Sequence, residues 1–563
     1  KITKMTILTR YWIEFVVAFF ATSLSSLLAW WLYTNNLLTV LADQIAHLIF
    51  ARLTIDSVTP GITQLGSWPP LLHVLMAPVT AFDFLFRSGL AGFVILLPIF
   101  VVGTVYLYRL VLRLTHQRFF ALIAVLIYLL NPYVLYYSAT PMMEVLLLSV
   151  SFALAFHFVR WLQEYRLYDL IIAGGLVSVA AVSRYEGLLL LPVVGVLTLA
   201  TLLLRREGYH KIEALALIFG IPAAAGVAYL VIYSWIFVGH PLGFAGVGSD
   251  TQWVVSTITP EGFIAPPAWK ALLHASFYMM SQSIVYVGLV CGVLTLVISR
   301  KRFELFAALA ILVLPLIAVG LNMLRWENSV VVPEFSPWND FHNVRYALTW
   351  IGFIAVATAT FLATAYTFNR TLVYRILILT VTGLIISASV FFFYRVIFVE
   401  RYAVIQADRS ASKRTDTSDI VRYLKFNAQN GGFILSTRFN NDVYFLDSGL
   451  PLRSFIYEGN YRYFDRVLES PWLYAEWVVM TRPGTISQQQ FFDPVTKLWA
   501  YDERFHRYYR LIASDEETDL YELDKASIIN DHTEYGQELL NTAVIRSDRV
   551  IWSSEELQLL TKS

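Results

Sequence analysis

Four short segments of a largely apolar chain carry acidic and basic side chains that could work together in catalysis. In LADQIAHLIFAR, residues 41–52, Asp43 follows closely on a long apolar run. Glu144 lies in SATPMMEV, residues 184–186 read RYE, and Arg345 lies in FHNVRYAL. A positioned carboxylate can accept a proton from a reacting hydroxyl group, and a guanidinium group can stabilise negative charge that develops as a bond breaks. The sequence therefore offers an acid–base set, provided that the fold brings the four segments together.

The composition indicates that lipid must solvate most of the chain. Of its 563 residues, 57% are hydrophobic and 15% are charged, whereas soluble domains contain roughly 25% charged residues. The formal net charge of +1 argues against a nucleic-acid partner, because such binding depends on a concentrated basic surface. Cys291 is the single cysteine, so the chain cannot form an intramolecular disulfide.

Eleven apolar segments are candidates for membrane spans, since a crossing requires about 20 largely apolar residues. Basic residues precede the first segment and no short hydrophobic region with a cleavage site follows them, so we expect a retained signal anchor. The candidate spans lie near residues 12–33, 89–109, 119–137, 141–161, 168–184, 187–204, 212–238, 274–298, 303–324, 346–367 and 373–396.

Basic residues in alternate connections predict the orientation of these spans. Cytoplasmic connections are enriched in Lys and Arg, and five alternate connections are basic here: residues 109–118, 160–166, 205–211, 300–302 and 370–375. The N-terminus is therefore predicted to be cytoplasmic. The opposite, extracytoplasmic side receives the long first loop (34–88), the turns that precede Glu144 and follow Arg184, two further loops (239–273 and 325–345), and the C-terminal segment.

A change to a more polar composition predicts a second domain at residues 401–563. The stretch ASKRTDTSDIVRYL reads as a polar linker that enters a helix capped by Thr417 or Ser418. Five β-type runs then alternate with helical ones: GGFILSTRF, NDVYFLD, AEWVVMTR, RYYRLIAS and TDLYELD. We therefore expect a polytopic α-helical membrane domain at residues 1–400 and a small extracytoplasmic α/β domain after it.

The first loop is predicted to begin with a short amphipathic helix that lies in the membrane interface. Helical spacing places Asp43, His47 and Phe50 on one face, while Arg52 lies on another side. Taken alone, Asp43 could simply end the first span in water, with His47 and Arg52 solubilising a surface helix. Trp68 and the two prolines that follow it predict an extended turn.

Taken together, four stretches resemble the GT-C superfamily, which comprises integral-membrane glycosyltransferases that use polyprenyl-phosphate sugars. The likeness is to the protein-mannosyltransferase and aminoarabinose-transferase branch, and it covers about residues 10–400. It implies a GT-C-like fold, a polyprenyl-phosphate sugar as donor, and Asp43 as the base in an inverting displacement. The stretches are LADQIAHLIFAR with the following PGITQLGSWPPLLHVLMAP, YYSATPMMEVLLLSVSFALAF, SRYEGLLLLP and FHNVRYAL.

The resemblance also implies roles for the second and third segments. Glu144 would face Asp43 and bind acceptor, donor sugar or a metal ion, although its place in the first turn of a helix is explained equally well by the helix dipole. Arg184 would bind the donor phosphate, the alternative being a side chain that extends to the membrane interface. Tyr185 and Glu186 are candidate substrate-binding residues, and Glu186 would orient Arg184 or hold the acceptor.

The fourth segment supplies a second candidate for phosphate binding. Arg345 and Tyr346 match a motif in which the arginine lies near the donor phosphate, although polar residues at such a junction often only anchor a helix at the interface. His342, His47 and Trp68 are weaker substrate-binding candidates. Trp68 could stack on a sugar ring, but a tryptophan at the interface is common without any such role.

Two other functions remain open at this point. An oligosaccharyltransferase or glycan ligase with a diphosphate donor would bind a divalent cation at Asp43 and Glu144, whereas we expect no cofactor beyond the lipid-linked donor. A lipid or glycan transporter would carry internal repeats and charges at the membrane midplane, whereas the charges here gather on one side. The expected partners are a polyprenyl-phosphate sugar, membrane lipids, and an acceptor that is a protein, a lipid or a polysaccharide.

Overall fold

The computed structural model describes residues 4–529 except 67, 238, 247–265, 299–301, 326–329, 337–338, 370, 409–410, 412–417, 439–440 and 485–492. The chain forms two compact units. The first contains residues 1–44, 67–75 and 88–411, and the second contains 45–66, 76–87 and 412–563. Two segments of the first loop therefore fold with the C-terminal segment. This grouping differs from a simple division at residue 400.

The first unit is helical. Its longer helices are Lys4–Thr34, Leu90–Thr115, Arg118–Leu129, Glu144–Glu164, Leu167–Ser183, Leu190–Leu204, Tyr209–Phe237, Ala268–Met280, Gln282–Ile298, Arg302–Arg325, Ile351–Phe368 and Leu372–Tyr394. Shorter turns and helices join them: Pro132–Ala139, Tyr185–Leu189, Gly243–Gly246, Pro333–Phe335, Val344–Trp350, Arg395–Val399 and Ala403–Gln406. Helix Leu71–Thr80 lies partly in each unit, and helix Asp83–Ser88 lies almost entirely in the second. Helix Ala42–Leu53 begins in this unit and continues into the second.

The membrane spans follow the predicted segments, but their number is smaller than eleven. Among the described residues, 8 helices are long and apolar enough to cross a membrane, or up to 10 if each of two bent pairs is one span. All eleven predicted segments are helical. Leu167–Ser183 is the one that is too short to count as a membrane span, because it has only 17 residues. The chain is a multi-pass membrane protein with a mostly helical fold, as predicted.

Two predicted spans are broken rather than continuous. Arg118–Leu129 and Pro132–Ala139 meet at a bend of 68°, and Ala268–Met280 and Gln282–Ile298 meet at 115°. The first break occurs at Pro132, because proline has no N–H to donate and excludes the preceding residue from the helix. Asn131 caps the new helix by accepting hydrogen bonds from the backbone N–H groups of Tyr133 and Val134. Ser281 makes the second break with a left-handed backbone, φ 65°.

Helix Ala42–Leu53 forms where it was predicted, but it does not lie on a surface. Of its residues only Ala42 is exposed, and its apolar positions on every side are buried within the protein. The prediction of an interfacial amphipathic helix is therefore wrong. The residues do form a helix with the predicted spacing. However, other parts of the protein cover the face that was expected to be in contact with water.

The second unit contains a five-stranded mixed sheet. Its strands are β1 (Phe433–Leu435), β2 (Phe455–Ile456), β3 (Ala475–Thr481), β4 (Tyr509–Ser514) and β5 (Thr518–Leu523), in the order β2-β1-β3-β5-β4. β1 pairs in parallel with β2 and β3, and the other pairs are antiparallel. The helices of this unit are Asp419–Asn427, Asp442–Asp447, Arg462–Glu469, Pro494–Trp499, Glu503–Tyr508 and Lys525–Ile529, with a 3₁₀ turn at Ile62–Leu65. The small α/β fold is as predicted.

Aromatic packing on one side of the sheet supplies the core of this unit. Trp472 packs edge-on against Trp499 at 5.2 Å between ring centroids, and Phe505 stacks on Tyr509 at 4.7 Å. Ser418 accepts a hydrogen bond from the N–H of Val421 and so caps the predicted helix; the alternative cap, Thr417, lies outside the described residues. Large buried rings compensate for the small size of the sheet.

The run NDVYFLD was predicted as a strand and is a helix, Asp442–Asp447. Arg438, which precedes this helix, forms a bidentate ion pair with Asp442 in its first turn, with both N–O distances at 2.9 Å. The Tyr444 hydroxyl donates to Asp515 at 3.0 Å. The tertiary contact of Tyr444 therefore favours the helix over the strand preference of a short aromatic run.

Polar contacts join the first-loop residues to the C-terminal segment within this second unit. The Asn460 side chain donates to the hydroxyls of Ser57 and Thr59, each at 3.1 Å, and Gln64 donates to the carbonyl of Gly459 at 3.1 Å. Arg87 donates to the carbonyl of Leu446 at 2.6 Å. Buried polar groups of the loop are thereby satisfied, which explains why these loop segments group with residues more than 350 positions away.

Candidate active site

Five charged side chains from the four segments meet in the first unit. Asp43 accepts a hydrogen bond from Arg345 Nη2. Arg345 Nε lies 3.2 Å from Glu144 Oε1, and Arg184 Nη1 donates to the same oxygen at 2.8 Å. Arg184 also forms two parallel bonds with Glu186, at 3.1 Å from Nε and 2.7 Å from Nη2. The predicted acids and arginines therefore form one continuous chain of ion pairs.

Glu144 is the centre of this chain because one of its oxygens contacts both arginines. Its side chain is completely buried, and a buried carboxylate requires partners of opposite charge to remain ionised. The ring of Tyr346 lies 5.0 Å from the Arg184 guanidinium carbon and 5.1 Å from that of Arg345. Each guanidinium group thus also has an aromatic face beside it, a favourable cation–π arrangement.

Some polar atoms of the cluster remain unsatisfied. Arg345 Nη1 and Glu144 Oε2 are buried and make no hydrogen bond with the described residues. Most buried polar atoms of native proteins are hydrogen-bonded, so such atoms point to a bound molecule or water. Asp43 is the most accessible acid of the set, with 29% of its side chain exposed against 8% for Glu186.

Asp43 is held at the N-terminus of its helix by the residue that follows it. The Gln44 side-chain carbonyl accepts from the Leu41 N–H at 2.9 Å, and its amide donates to the Tyr136 hydroxyl at 3.1 Å. Tyr136 in turn donates to the carbonyl of Leu37 at 3.1 Å. Gln44 and Tyr136 are fully buried. Gln44 therefore supplies one half of a capping box and fixes the first turn that carries Asp43.

Arg345 is positioned by a tight turn. Asn343 adopts a left-handed conformation, φ 52°, which asparagine tolerates better than most residues. His342 exchanges two backbone hydrogen bonds with Val331, at 2.9 and 3.0 Å. This pairing and the left-handed residue direct the 3₁₀ turn Val344–Trp350 so that Arg345 is buried among the acids.

Asp408 and Ala411, which follow the last span, form backbone bridges with the two segments that carry Asp43 and Arg345. Ala411 forms an antiparallel bridge with Leu41, two residues before Asp43. Asp408 forms a parallel bridge with Phe341, four residues before Arg345. The segment thus links the two ends of the Asp43–Arg345 contact through backbone pairing.

Arg184 is positioned by a close approach between helices. It ends helix Leu167–Ser183, and its carbonyl accepts from the Gly187 N–H at 2.9 Å. A Cβ at Gly187 would lie 2.1 Å from the carbonyl oxygen of Ala180, which is a forbidden contact. Only glycine allows the chain to turn this sharply, so RYEG carries Arg184 and Glu186 to the same place. The helix of Glu144 begins at Glu144 itself, three residues after Pro141.

The weaker candidates have other surroundings. The ring of Tyr185 stacks with that of Phe244, with 6.4 Å between the ring centroids. His342 Nδ1 lies 3.6 Å from Asp408 Oδ1. Trp68 is partly buried before helix Leu71–Thr80, and His47 is buried in the second unit. Their proposed contact with substrate stays a prediction.

Gln44, Tyr136 and Asp408 were missed from the sequence. A glutamine three residues after a helix start is the one signal that could have indicated Gln44. Tyr136 lies 92 residues from Gln44, and Asp408 lies more than 60 residues from Phe341. Nothing in the local pattern indicates such pairing.

The described residues contain no group of three or more His, Cys, Asp or Glu that could hold a metal ion. Asp43 and Glu144, the residues that would bind a divalent cation, are instead paired with guanidinium groups. The donor set of the cluster therefore suits an anionic ligand better than a metal ion.

Comparison with known proteins bears on this geometry. Residues 69–238 match the family model described as dolichyl-phosphate-mannose-protein mannosyltransferase. That range includes Glu144, Arg184 and Glu186 and excludes Asp43 and Arg345. No curated protein matches the chain in a sequence comparison.

Solved structures share the fold at low sequence identity. ArnT from Cupriavidus metallidurans bound to undecaprenyl phosphate gives a TM-score of 0.52 at 10% identity over 92% of this chain and 98% of that chain. The chain resembles a GT-C glycosyltransferase. Apo ArnT gives 0.51 at 12% identity over 89% and 97%. Archaeal oligosaccharyltransferase AglB from Archaeoglobus fulgidus, in complex with an inhibitory peptide and a dolichol-phosphate, gives 0.49 at 12% identity over 92% and 75%. The predicted resemblance to the GT-C superfamily is confirmed.

Replacing Glu144 should destabilise the GT-C-like unit. Glu144→Gln leaves two buried guanidinium groups without their shared counter-charge, and breaking a buried pair typically costs about 3 kcal/mol. The midpoint of thermal unfolding in detergent micelles should fall clearly. Glu213→Gln is the matched control, because Glu213 is half-exposed in the same unit. An unchanged midpoint for Glu144→Gln would show that the ion-pair chain does not stabilise the fold.

Proposed function

We propose that this chain is a membrane glycosyltransferase that transfers a sugar from a polyprenyl-phosphate donor to an acceptor on the extracytoplasmic side. The observation that carries the proposal is the contact of Asp43, the most accessible acid of the cluster, with Arg345, which Glu144 links to Arg184. The match to a dolichyl-phosphate-mannose-protein mannosyltransferase model and the fold shared with undecaprenyl-phosphate-bound ArnT support the donor class.

Asp43 would act as the general base. An acceptor hydroxyl attacks the anomeric carbon, the new C–O bond forms as the bond between that carbon and the phosphate oxygen breaks, and the hydroxyl proton passes to Asp43. The bonding electrons leave with polyprenyl phosphate. Because phosphate is already a good leaving group, no second carboxylic acid is needed to protonate it, and a single displacement inverts the anomeric centre.

The arginines would bind the phosphate and stabilise the charge that develops on it. A guanidinium group offers a planar pair of N–H donors suited to phosphate oxygens. Arg345 has an unsatisfied buried N–H and so is the better placed of the two, whereas Arg184 already gives three bonds to Glu144 and Glu186. Arg184 would then act mainly by holding Glu144 in place.

Asp43→Asn should abolish most of the sugar transfer without loss of folding. Removing a general base typically lowers the rate by about 10²–10⁴-fold, and asparagine preserves the size of the side chain. The measurement is transfer from a panel of polyprenyl-phosphate sugars by purified full-length protein, with the unfolding midpoint as a check on folding. Transfer at the wild-type rate would exclude Asp43 as the base.

Tyr136→Phe should lower kcat about tenfold while leaving the affinity for polyprenyl phosphate unchanged. The hydroxyl holds Gln44 and the Leu37 carbonyl, and small misplacements of a catalytic group reduce rate strongly. Tyr128→Phe is the matched control, because Tyr128 is buried in the same bent span and its hydroxyl has no partner among the described residues. Equal kcat for both variants would contradict a positioning role of Tyr136.

The orientation predicted from the basic connections is part of the proposal. In a Cys291→Ser background, Lys425→Cys should react with a membrane-impermeant maleimide from the extracytoplasmic side, and His210→Cys should react only from the cytoplasmic side. Both positions are exposed and Cys291 is buried. Labelling of both positions from the same side would contradict the proposed topology.

A further inference from the structure

The contact between Asp43 and Arg345 engages the two groups that the proposed reaction needs. Asp43 Oδ2 accepts a hydrogen bond from Arg345 Nη2. The guanidinium group therefore occupies the carboxylate oxygen that would otherwise be available to the acceptor hydroxyl. The same contact occupies part of the fork with which Arg345 would bind a phosphate. In this arrangement neither the base nor the phosphate site is fully available.

The charges of the cluster limit how a phosphate can enter it. Asp43, Glu144 and Glu186 are three carboxylates, and Arg184 and Arg345 are two guanidinium groups. Adding a phosphate to a set in which acids already outnumber arginines would bring like charges together at a partly buried site, where screening is weak. One carboxylate must therefore give up its guanidinium partner when the phosphate binds.

Asp43 is the acid best able to leave. Glu144 is completely buried and contacts both arginines, and Glu186 holds Arg184 through two bonds. Asp43 is 29% exposed and lies in the first turn of its helix, where the helix dipole stabilises a carboxylate without help from an arginine. The free-energy cost of breaking an ion pair is therefore smallest at Asp43.

We infer that the phosphate of a polyprenyl-phosphate ligand displaces Asp43 from Arg345, so that binding of the donor frees the catalytic base. The inference rests on the proposed function. The unsatisfied Nη1 of Arg345 makes the first contact with the phosphate, while Glu144 and the Tyr346 ring hold the guanidinium group as its partner changes. The base then becomes effective only when the donor is in place, and donor binding precedes deprotonation of the acceptor.

The test is the affinity of the purified full-length protein for a polyprenyl phosphate without sugar. Asp43→Asn removes the competing charge, so this variant should bind about fivefold or more tightly than wild type, although it is expected to be inactive in transfer. Arg345→Gln should bind more weakly. In an Arg345→Gln background, Asp43→Asn should make no further difference, because the group for which the two anions compete is gone.

Three controls make the result specific. Asp419→Asn removes an equal charge from an exposed position in the second unit and should leave the affinity unchanged. Polyprenol, which lacks the phosphate, should bind wild type and Asp43→Asn equally. Inorganic phosphate separates a lipid phosphate site from a free phosphate site: tightening by Asp43→Asn for inorganic phosphate but not for polyprenyl phosphate would overturn the inference.

The remaining outcomes distinguish the inference from the proposed function. Equal or weaker binding of polyprenyl phosphate by Asp43→Asn, with an unchanged unfolding midpoint, would overturn the displacement and leave the glycosyltransferase proposal standing. Failure of wild type to bind polyprenyl phosphate at all would overturn both.

Discussion

The shared carboxylate of Glu144 is the interaction on which the site depends. One fully buried oxygen contacts Arg184 at 2.8 Å and Arg345 at 3.2 Å. Without it, the two guanidinium groups beside the Tyr346 ring would repel each other in an environment that screens charge poorly. A buried acid between two arginines is costly to assemble and adds little net stability. Its value lies in fixing both guanidinium groups at one place.

The elements around Glu144 serve to bring distant segments to this acid. The 3₁₀ turn that follows Asn343 delivers Arg345, the glycine turn at Gly187 delivers Arg184 and Glu186, and the break at Pro132 brings Tyr136 to the helix that carries Asp43. Each of these is an interruption of regular helix near the end of a span. In a membrane, such irregular backbone is tolerated where protein rather than lipid surrounds it. The polar site and the broken helices therefore require each other.

Under the proposed function, the cluster would keep the base paired with an arginine between reactions. Arg345 contacts Asp43 and Glu144, but only Glu144 is fully buried, so the two contacts differ in how easily they can be exchanged. The contact of Arg345 with Glu144 is rigid, whereas its contact with Asp43 can be exchanged. A ligand could therefore replace Asp43 without disturbing the rest of the cluster. This asymmetry follows from burial, because Asp43 is partly exposed and Glu144 is not.

Much of the architecture could be predicted from local pattern. The eleven apolar segments became helices because lipid and helix both require long apolar runs whose backbone groups are satisfied internally. Four of the five β-type runs became strands. The errors occurred where a local preference competed with a tertiary contact. The run NDVYFLD became a helix whose Tyr444 hydroxyl donates to the distant Asp515, and the helix of Asp43 proved to be buried in protein rather than at an interface.

The sequence by itself determined which residues could do the chemistry, since acids and arginines are rare beside apolar spans and their presence there has a cost that function must explain. Only the tertiary structure decided how these residues are paired. Asp43 and Arg345 are separated by 302 positions, and no periodicity or local motif encodes a contact over that distance. Whether an arginine meets a phosphate, a carboxylate or water depends on which segments pack together, and that is settled by the packing of the whole membrane unit.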